Sequence, residues 1–452
     1  MTGIFRAYDI RGVYGETLTP EISMRIGKAF GTFLPGAERI AVGKDVRLSG
    51  SALKAALLSG IMSTGHDCID IGTVSTPMLY FSTVHKEKCA GVMLTASHNP
   101  PEYNGFKFCR AGISYSYETC IGAIEHLMGA DEFRTSAWDT AGQVEFREVL
   151  ADYIDDLVGR VSLGRELNVV VDVGNGSCGF AQGIFERIGC NAKVLFKEPD
   201  GHFPNHIPDP LRDETLDALR AQVVRDGADL GVAFDGDGDR VGFVDERGKI
   251  FRSDTALMIF ARDVLDRFPG SKVVLNPLCS RALVEYVEAH GGIPVMSRVG
   301  HSYIHEKLLA ENAALAGEIS GHFYFARDYY GYDDGVFAAL KMVEMLSKTS
   351  MKLSEIVSAL PSYPSSPEIR IPCPDDRKFL IVEALKDRFE KKGMGITDID
   401  GVRVEFERGW GLVRASNTEP ALVARFEGDT DEDLKEIREM MMAEVNSVLE
   451  GK

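Results

Sequence analysis

Three stretches of the chain share one grammar, and this repeat constrains the fold more than any other feature. The first runs from Arg39-Ile40-Ala41-Val42-Gly43, through an amphipathic segment from Ala52 to Thr64, to Gly65 and the run Cys68 to Gly72. The second joins Leu167 to Asp172, Cys178 to Ile188, Gly189, and Ala192 to Leu195. The third joins Ser271 to Asn276, Arg281 to Ala289, Gly291-Gly292, and Ile293 to Val295. Each reads as a buried strand, a polar turn, a helix closed by glycine, and a second strand. A helical crossover of this kind makes its two strands parallel. Three copies predict three tandem, similar α/β domains with mixed, largely parallel sheets.

The last ninety or so residues differ. They follow the linker Pro361-Ser362-Tyr363-Pro364-Ser365-Ser366-Pro367. A helix is expected from Arg377 to Lys392 and another from Asp431 to Leu449. Between them fall strands at Val402 to Glu407, Gly411 to Arg414 and Ala421 to Glu427. Grouped strands indicate an α+β domain. The expected boundaries are 1–147, 148–250, 251–362 and 363–452, which suits 452 residues.

The formal charge is −18, which argues against nucleic acid or an anionic membrane surface as partner. An anionic metabolite remains compatible only where cations are concentrated locally. Eight cysteines without a C-x-x-C pair read as small core residues of a reducing compartment. No apolar run approaches the roughly 20 residues of a membrane span, and the N-terminus lacks an apolar leader. A cytoplasmic protein is expected, as a monomer or small homo-oligomer.

Two loops stand out. Thr95-Ala96-Ser97-His98-Asn99-Pro100 follows the apolar run Ala90 to Leu94. Pro101 and Asn104-Gly105 are expected to keep the chain irregular beyond it. Ser97 taken alone is a turn hydroxyl; held on a stiff turn it is a candidate for covalent chemistry. His98 is expected to point away from Ser97 on an extended backbone, and Lys107 to return beside it. Asp235-Gly236-Asp237-Gly238-Asp239-Arg240 lies between two apolar strand-like runs. Three carboxylates at alternate positions repel unless a cation neutralises them, and oxygen ligands favour a hard one, Mg²⁺ foremost. An EF-hand is disfavoured, because Arg240 stands where that loop needs glycine.

Two further segments carry polar chemistry. Arg414-Ala415-Ser416-Asn417-Thr418-Glu419-Pro420, with Arg425 beyond it, offers the donors a phosphate needs. In Gly317-Glu318-Ile319-Ser320-Gly321-His322 the residues Glu318, Ser320 and His322 alternate, so an extended segment would show them on one face. A carboxylate beside a hydroxyl suits a sugar diol. Arg298 and His301 fall where the third repeat's second strand ends, a common place for ligands.

Together with Phe5 to Gly12, these motifs resemble the α-D-phosphohexomutases over essentially the whole chain, most closely the phosphomannomutase/phosphoglucomutase branch. The resemblance implies an active site in a central cleft and an enzyme interconverting hexose 1-phosphate and hexose 6-phosphate, of mannose or glucose. It implies a phosphoserine at Ser97, a hexose 1,6-bisphosphate intermediate, and Mg²⁺ held by Ser97, Asp235, Asp237 and Asp239. Arg11, Lys107, Arg240, His301 and His322 match basic catalytic positions. Glu318, Ser320 and Arg298 would bind the sugar; Arg414, Ser416, Asn417, Thr418 and Arg425 would hold the phosphate that is not reacting. Leu278 departs from the lysine frequent in that branch. Ile319 stands where phosphoglucosamine mutases usually show glutamine, which disfavours that activity, the neighbouring alternative. A sugar-phosphate sensor without catalysis is the alternative of another class.

Overall fold

The computed structural model describes residues 3–36, 38–85, 88–417 and 420–450. The chain divides into two compact units. One runs through Ala256 and takes up Ser320–Ser358; the other holds Leu257–Ile319 and the chain from Ala359 onward.

The first unit carries two sheets. In the first sheet the strands lie in the order Ile10–Val13, Tyr103–Arg110, Ala90–Leu94, Ile40–Lys44, Cys68–Thr73, Val144–Phe146. Ile40–Lys44 is parallel to both Cys68–Thr73 and Ala90–Leu94, while Tyr103–Arg110 runs antiparallel to its neighbours. The expectation that Asn104-Gly105 stays irregular is therefore corrected: both lie in the strand Tyr103–Arg110. The turn formed by Pro100 and Pro101 is complete by Tyr103, and a buried apolar face (Phe106, Phe108) draws the next residues into the sheet. The second sheet has the order Ile250–Phe251, Val241–Asp245, Leu230–Phe234, Asn168–Asp172, Asn191–Leu195. Its last two strands are parallel, as the repeat requires.

In the second unit Lys272–Leu275 lies between Ile293–Met296 and Leu315–Gly317, all parallel. The tail sheet is antiparallel, in the order Ile369–Pro372, Ala421–Gly428, Gly409–Ala415, Val402–Phe406, Gly395–Thr397. Two of these strands, Ile369–Pro372 and Gly395–Thr397, escape sequence reading because they are short edge strands with half-exposed faces.

Local chemistry starts the helices. Thr19, Ser280 and Thr430 accept backbone N–H groups of Pro20–Phe33, Arg281–Ala289 and Asp431–Leu449, satisfying donors the helix cannot. Packing then holds them. In Gly50–Met62 the residues Leu53, Leu57 and Ile61 recur every fourth position and are fully buried, worth roughly 2 kcal/mol each. All eight cysteines are buried free thiols, as expected. No helix among the described residues is long and apolar enough to cross a membrane.

Candidate active site

Register brings the first unit's loops together. Lys44 pairs with Leu94 across the parallel strands, so the residues after each leave the sheet side by side at the strand carboxyl ends, where α/β proteins bind ligands. Ser97 sits in the left-handed backbone region at φ 50°, uncommon for a residue with a Cβ. Its N–H donates to Thr95 Oγ1 at 2.8 Å. This bend corrects the expectation for His98: the ring turns back, and its Nδ1 lies 3.0 Å from Ser97 Oγ. Burial, and then the nearby Arg240 and Arg11, push the imidazole well below its ordinary range.

The aspartate loop is the tip of a hairpin, Leu230–Phe234 with Val241–Asp245, whose last pair is Phe234 with Val241. All three carboxylates are buried. Ser97 Oγ donates to Asp235 Oδ2 at 2.5 Å, and Thr76 Oγ1 to Asp237 Oδ2 at 2.5 Å. Lys107 Nζ lies 2.7 Å from Asp237 Oδ2 and 2.5 Å from Asp239 Oδ2. Burial lowers the Lys107 affinity for its proton, but Asp237, Asp239 and Asp235 outweigh it, and the ammonium is held charged. Asp239 is likewise driven below the carboxylate range, since Lys107, His322 and Arg240 overcome its burial. Asp235 moves the other way. Burial and the Asp237 and Asp239 charges hold it well above that range, so Lys107 does not fully neutralise the cluster.

The residues fit a hard cation. Asp237 Oδ1 and Asp239 Oδ1 are buried with no hydrogen-bond partner among the described residues. Asp235, Asp237 and Asp239 each offer an oxygen within 4.8 Å of the others.

Basic residues surround this centre. Arg240 Nε donates to His322 Nε2 at 2.9 Å, which leaves the ring proton on Nδ1, 2.8 Å from Asp333 Oδ2. Arg11 donates to Asn99 Oδ1 at 2.7 Å and to Asp9 Oδ2 at 2.5 Å, joining the first strand to the serine loop. Sequence reading missed Asp333 and Thr76, which lie outside the motifs they serve, and gave no role to Asn99 within the serine motif.

The motif Gly317 to His322 is not extended throughout, which corrects the shared-face expectation. Ile319 and Ser320 form a turn, and Gly321 takes φ 86°, so strand alternation does not apply. Ser320 is half-buried and His322 buried. In the second unit Glu318 is buried and accepts Gly300 N–H at 3.0 Å and Asn276 Nδ2–H at 3.3 Å. His301 is buried at the start of the helix His301–Ala310, and the exposed Arg298 lies 3.7 Å over the Tyr303 ring. Leu278 and Ile319 pack with Trp410, Leu412 and Val299 in one apolar cluster.

The tail loop follows Gly409–Ala415. Arg414 pairs with Asp400 at 3.1 Å, and Asp400 also accepts the Val299 N–H at 2.9 Å. The Ser416 carbonyl accepts from Lys378 Nζ at 2.6 Å, a cation sequence reading missed. Arg425 donates to the Leu278 carbonyl. Asn417 is half-buried; Thr418 lies outside the described residues.

The fold and these loops define a class: a multidomain α/β protein with a buried carboxylate cluster and a strained serine turn at its strand ends. Family models of phosphoglucomutase/phosphomannomutase match it throughout: alpha/beta/alpha domain I over residues 2–135, domain II over 151–248, domain III over 252–363 and the C-terminal domain over 368–444. The chain belongs to the phosphoglucomutase/phosphomannomutase family. It is 44% identical over 445 residues to the phosphomannomutase/phosphoglucomutase of Pseudomonas putida, covering 98% of this chain and 95% of that one. It is 41% identical to the phosphoglucomutase of Neisseria gonorrhoeae, covering 98% and 97%. A crystal structure of a phosphoglucomutase/phosphomannomutase family protein from Burkholderia thailandensis superposes with a TM-score of 0.92 at 37% identity, covering 99% and 98%.

Proposed function

We infer that the chain is an intramolecular phosphotransferase, a phosphomannomutase/phosphoglucomutase that interconverts hexose 1-phosphate and hexose 6-phosphate. The observation that carries the reading is the buried contact of Ser97 Oγ with Asp235 beside Lys107, Asp237 and Asp239. A serine so surrounded suits a phosphoryl carrier, because phosphoryl transfer depends on positioning and charge neutralisation. The four domains are bounded near residues 147, 250 and 362, and the enzyme is cytoplasmic.

In the proposed cycle, Ser97 carries a phosphate. The free 6-hydroxyl of a hexose 1-phosphate attacks it; the new O–P bond forms as the P–Oγ bond breaks. His322, oriented by Asp333, takes the hydroxyl proton at Nε2 as Arg240 releases that nitrogen for the phosphoryl group, and later returns one. Lys107, held as an ammonium, stabilises the phosphoryl charge and does not act as a base. The resulting 1,6-bisphosphate reorients, and its other phosphate returns to Ser97. Asp235, Asp237 and Asp239, with a phosphoserine oxygen, would hold Mg²⁺, which would supply neutralisation of their charge and polarisation of the phosphoryl group. Arg11 and Arg240 add positive charge. Glu318, Ser320 and Arg298 bind the sugar, and His301 adds a basic catalytic group. Arg414, Ser416, Asn417, Thr418 and Arg425 hold the second phosphate.

Intact-mass and peptide mapping, coupled to rates on mannose, glucose and glucosamine 1-phosphates, test this. One phosphate on Ser97 and turnover of the first two sugars are expected, with Ser97→Ala losing more than about 10³-fold. Undiminished turnover in Ser97→Ala refutes the phosphoserine cycle. A large preference for the glucosamine compound replaces the substrate assignment.

A further inference from the structure

Arg47 uses all five of its side-chain donors. It is fully buried. Nη2 donates to the carbonyls of Ser97 at 2.8 Å and Asn99 at 2.6 Å. Nη1 donates to those of Pro100 at 2.6 Å and Tyr103 at 2.9 Å. Nε donates to Asp45 Oδ2 at 3.2 Å, and the Arg47 backbone N–H to Asp45 Oδ1 at 2.9 Å. The guanidinium also lies 5.2 Å over the Phe203 ring, which fixes its plane.

Four carbonyls, three from the serine loop and one from the first residue of the following strand, converge on this cation. Gathered without it they would repel, and a buried carbonyl without a donor costs roughly 1–3 kcal/mol. The serine loop holds Ser97 in the left-handed region, a conformation that persists only when its surroundings over-determine it. A second path leads to the same residue: the Thr95 side chain favours the charged form of the Asp45 carboxylate, and Thr95 Oγ1 accepts the Ser97 N–H. Asp45 and Arg47 leave the strand Ile40–Lys44 beside the exit of Ala90–Leu94. They therefore grip the serine turn from the adjacent strand end.

We propose that Arg47 is the positioning residue of the reacting serine: its fan of carbonyl contacts sets the Ser97 turn so that Oγ faces Asp235. The inference rests on the reading of Ser97 as phosphate carrier. Arg47 makes no hydrogen bond to Ser97 Oγ or to the three aspartates; its charge reaches Asp237 only at a distance, and its five hydrogen bonds act through loop geometry. Lysine is a poor substitute, because one ammonium lacks the planar fork that spans four carbonyls.

The full-length Arg47→Lys and Asp45→Asn variants test the proposal beside wild type. Circular-dichroism melts report folding, and kcat and KM are measured on glucose 1-phosphate with saturating Mg²⁺ and glucose 1,6-bisphosphate. A folded Arg47→Lys is expected to lose about 100-fold in kcat, the scale of a misplaced reacting group, with KM within about 3-fold. Asp45→Asn, which keeps the fan but loosens its anchor, is expected to lose about 10-fold with KM again unchanged. If Arg47→Lys does not melt cooperatively, Asp45→Asn carries the test. A folded Arg47→Lys with wild-type kcat overturns the proposal, as does a kcat loss accompanied by an equal rise in KM. With Arg47→Lys unfolded, wild-type kcat in Asp45→Asn overturns it too. A wild-type chain that neither turns over nor carries phosphate on Ser97 removes the underlying function, a result the variants cannot mimic.

Discussion

Ser97 Oγ donates to Asp235 Oδ2 across 2.5 Å although 138 residues separate the two in sequence. The contact ties the turn after one sheet's strand to the hairpin tip of the next sheet. Asp235→Asn keeps the shape and removes the charge. It is expected to cost about 10²- to 10³-fold in kcat, the scale of lost electrostatic stabilisation, and to raise the Mg²⁺ concentration for half-activation. EDTA is expected to abolish wild-type turnover, and added Mg²⁺ to restore it. A Mg²⁺ titration of turnover checks both; an unchanged midpoint in Asp235→Asn excludes Asp235 as a ligand.

Lys107 balances two buried carboxylates, Asp237 and Asp239. Removing one partner of a buried pair strands the other, at roughly 3–5 kcal/mol. Lys107→Met is therefore expected to melt about 10 °C lower in EDTA. Saturating Mg²⁺ should recover much of that loss, because it supplies the missing charge. Calorimetry with and without Mg²⁺ reads the difference. Equal melting temperatures for Lys107→Met and wild type in EDTA would show that the ammonium does not balance the cluster.

What the sequence made legible follows from the range of the forces involved. The parallel units and the aspartate hairpin were readable because apolar runs and glycine stops are local signals. The left-handed backbone at Ser97 was not, since its causes lie at Arg47, Asp45 and Thr95. That bend alone reverses the expected direction of His98. The turn at Ile319 and Ser320 was missed because alternation of polar residues reads the same in a strand and in a turn. Leu278, a departure from the branch pattern, and Ile319, the position that sets the chain apart from phosphoglucosamine mutases, prove to be in one apolar cluster with Trp410. The Asp333 contact with His322 carries no local signal at all.

Gly236 shows how tightly the two loops fit. A Cβ there would lie 2.5 Å from the Ser97 carbonyl oxygen, the same atom that accepts from Arg47. Neither group can retreat, as one is backbone and the other is held by a buried cation. Gly236→Ala is expected to push the serine turn from Asp235 and cost about 100-fold in kcat, with KM little changed. Steady-state kinetics on glucose 1-phosphate decide it; wild-type kcat would mean that the loops can part without loss.

His305 supplies an acid-sensitive point one turn beyond His301 on the same helix. It is buried on the helix His301–Ala310, and burial pushes its imidazole from 6.5 to about 4. Between those values the unfolded chain binds the proton and the folded chain does not. The stability this neutral ring preserves is thus complete at pH 7 and lost as pH falls through 6.5 toward 4. Between pH 7 and pH 4.5 the loss amounts to roughly 2–3 kcal/mol. His305→Leu removes the titrating group, so its urea-unfolding free energy should fall less than that of wild type over the same interval. The expected difference in slope is about one proton near pH 5. Parallel pH profiles for the two proteins would show that His305 is protonated without penalty in the folded state.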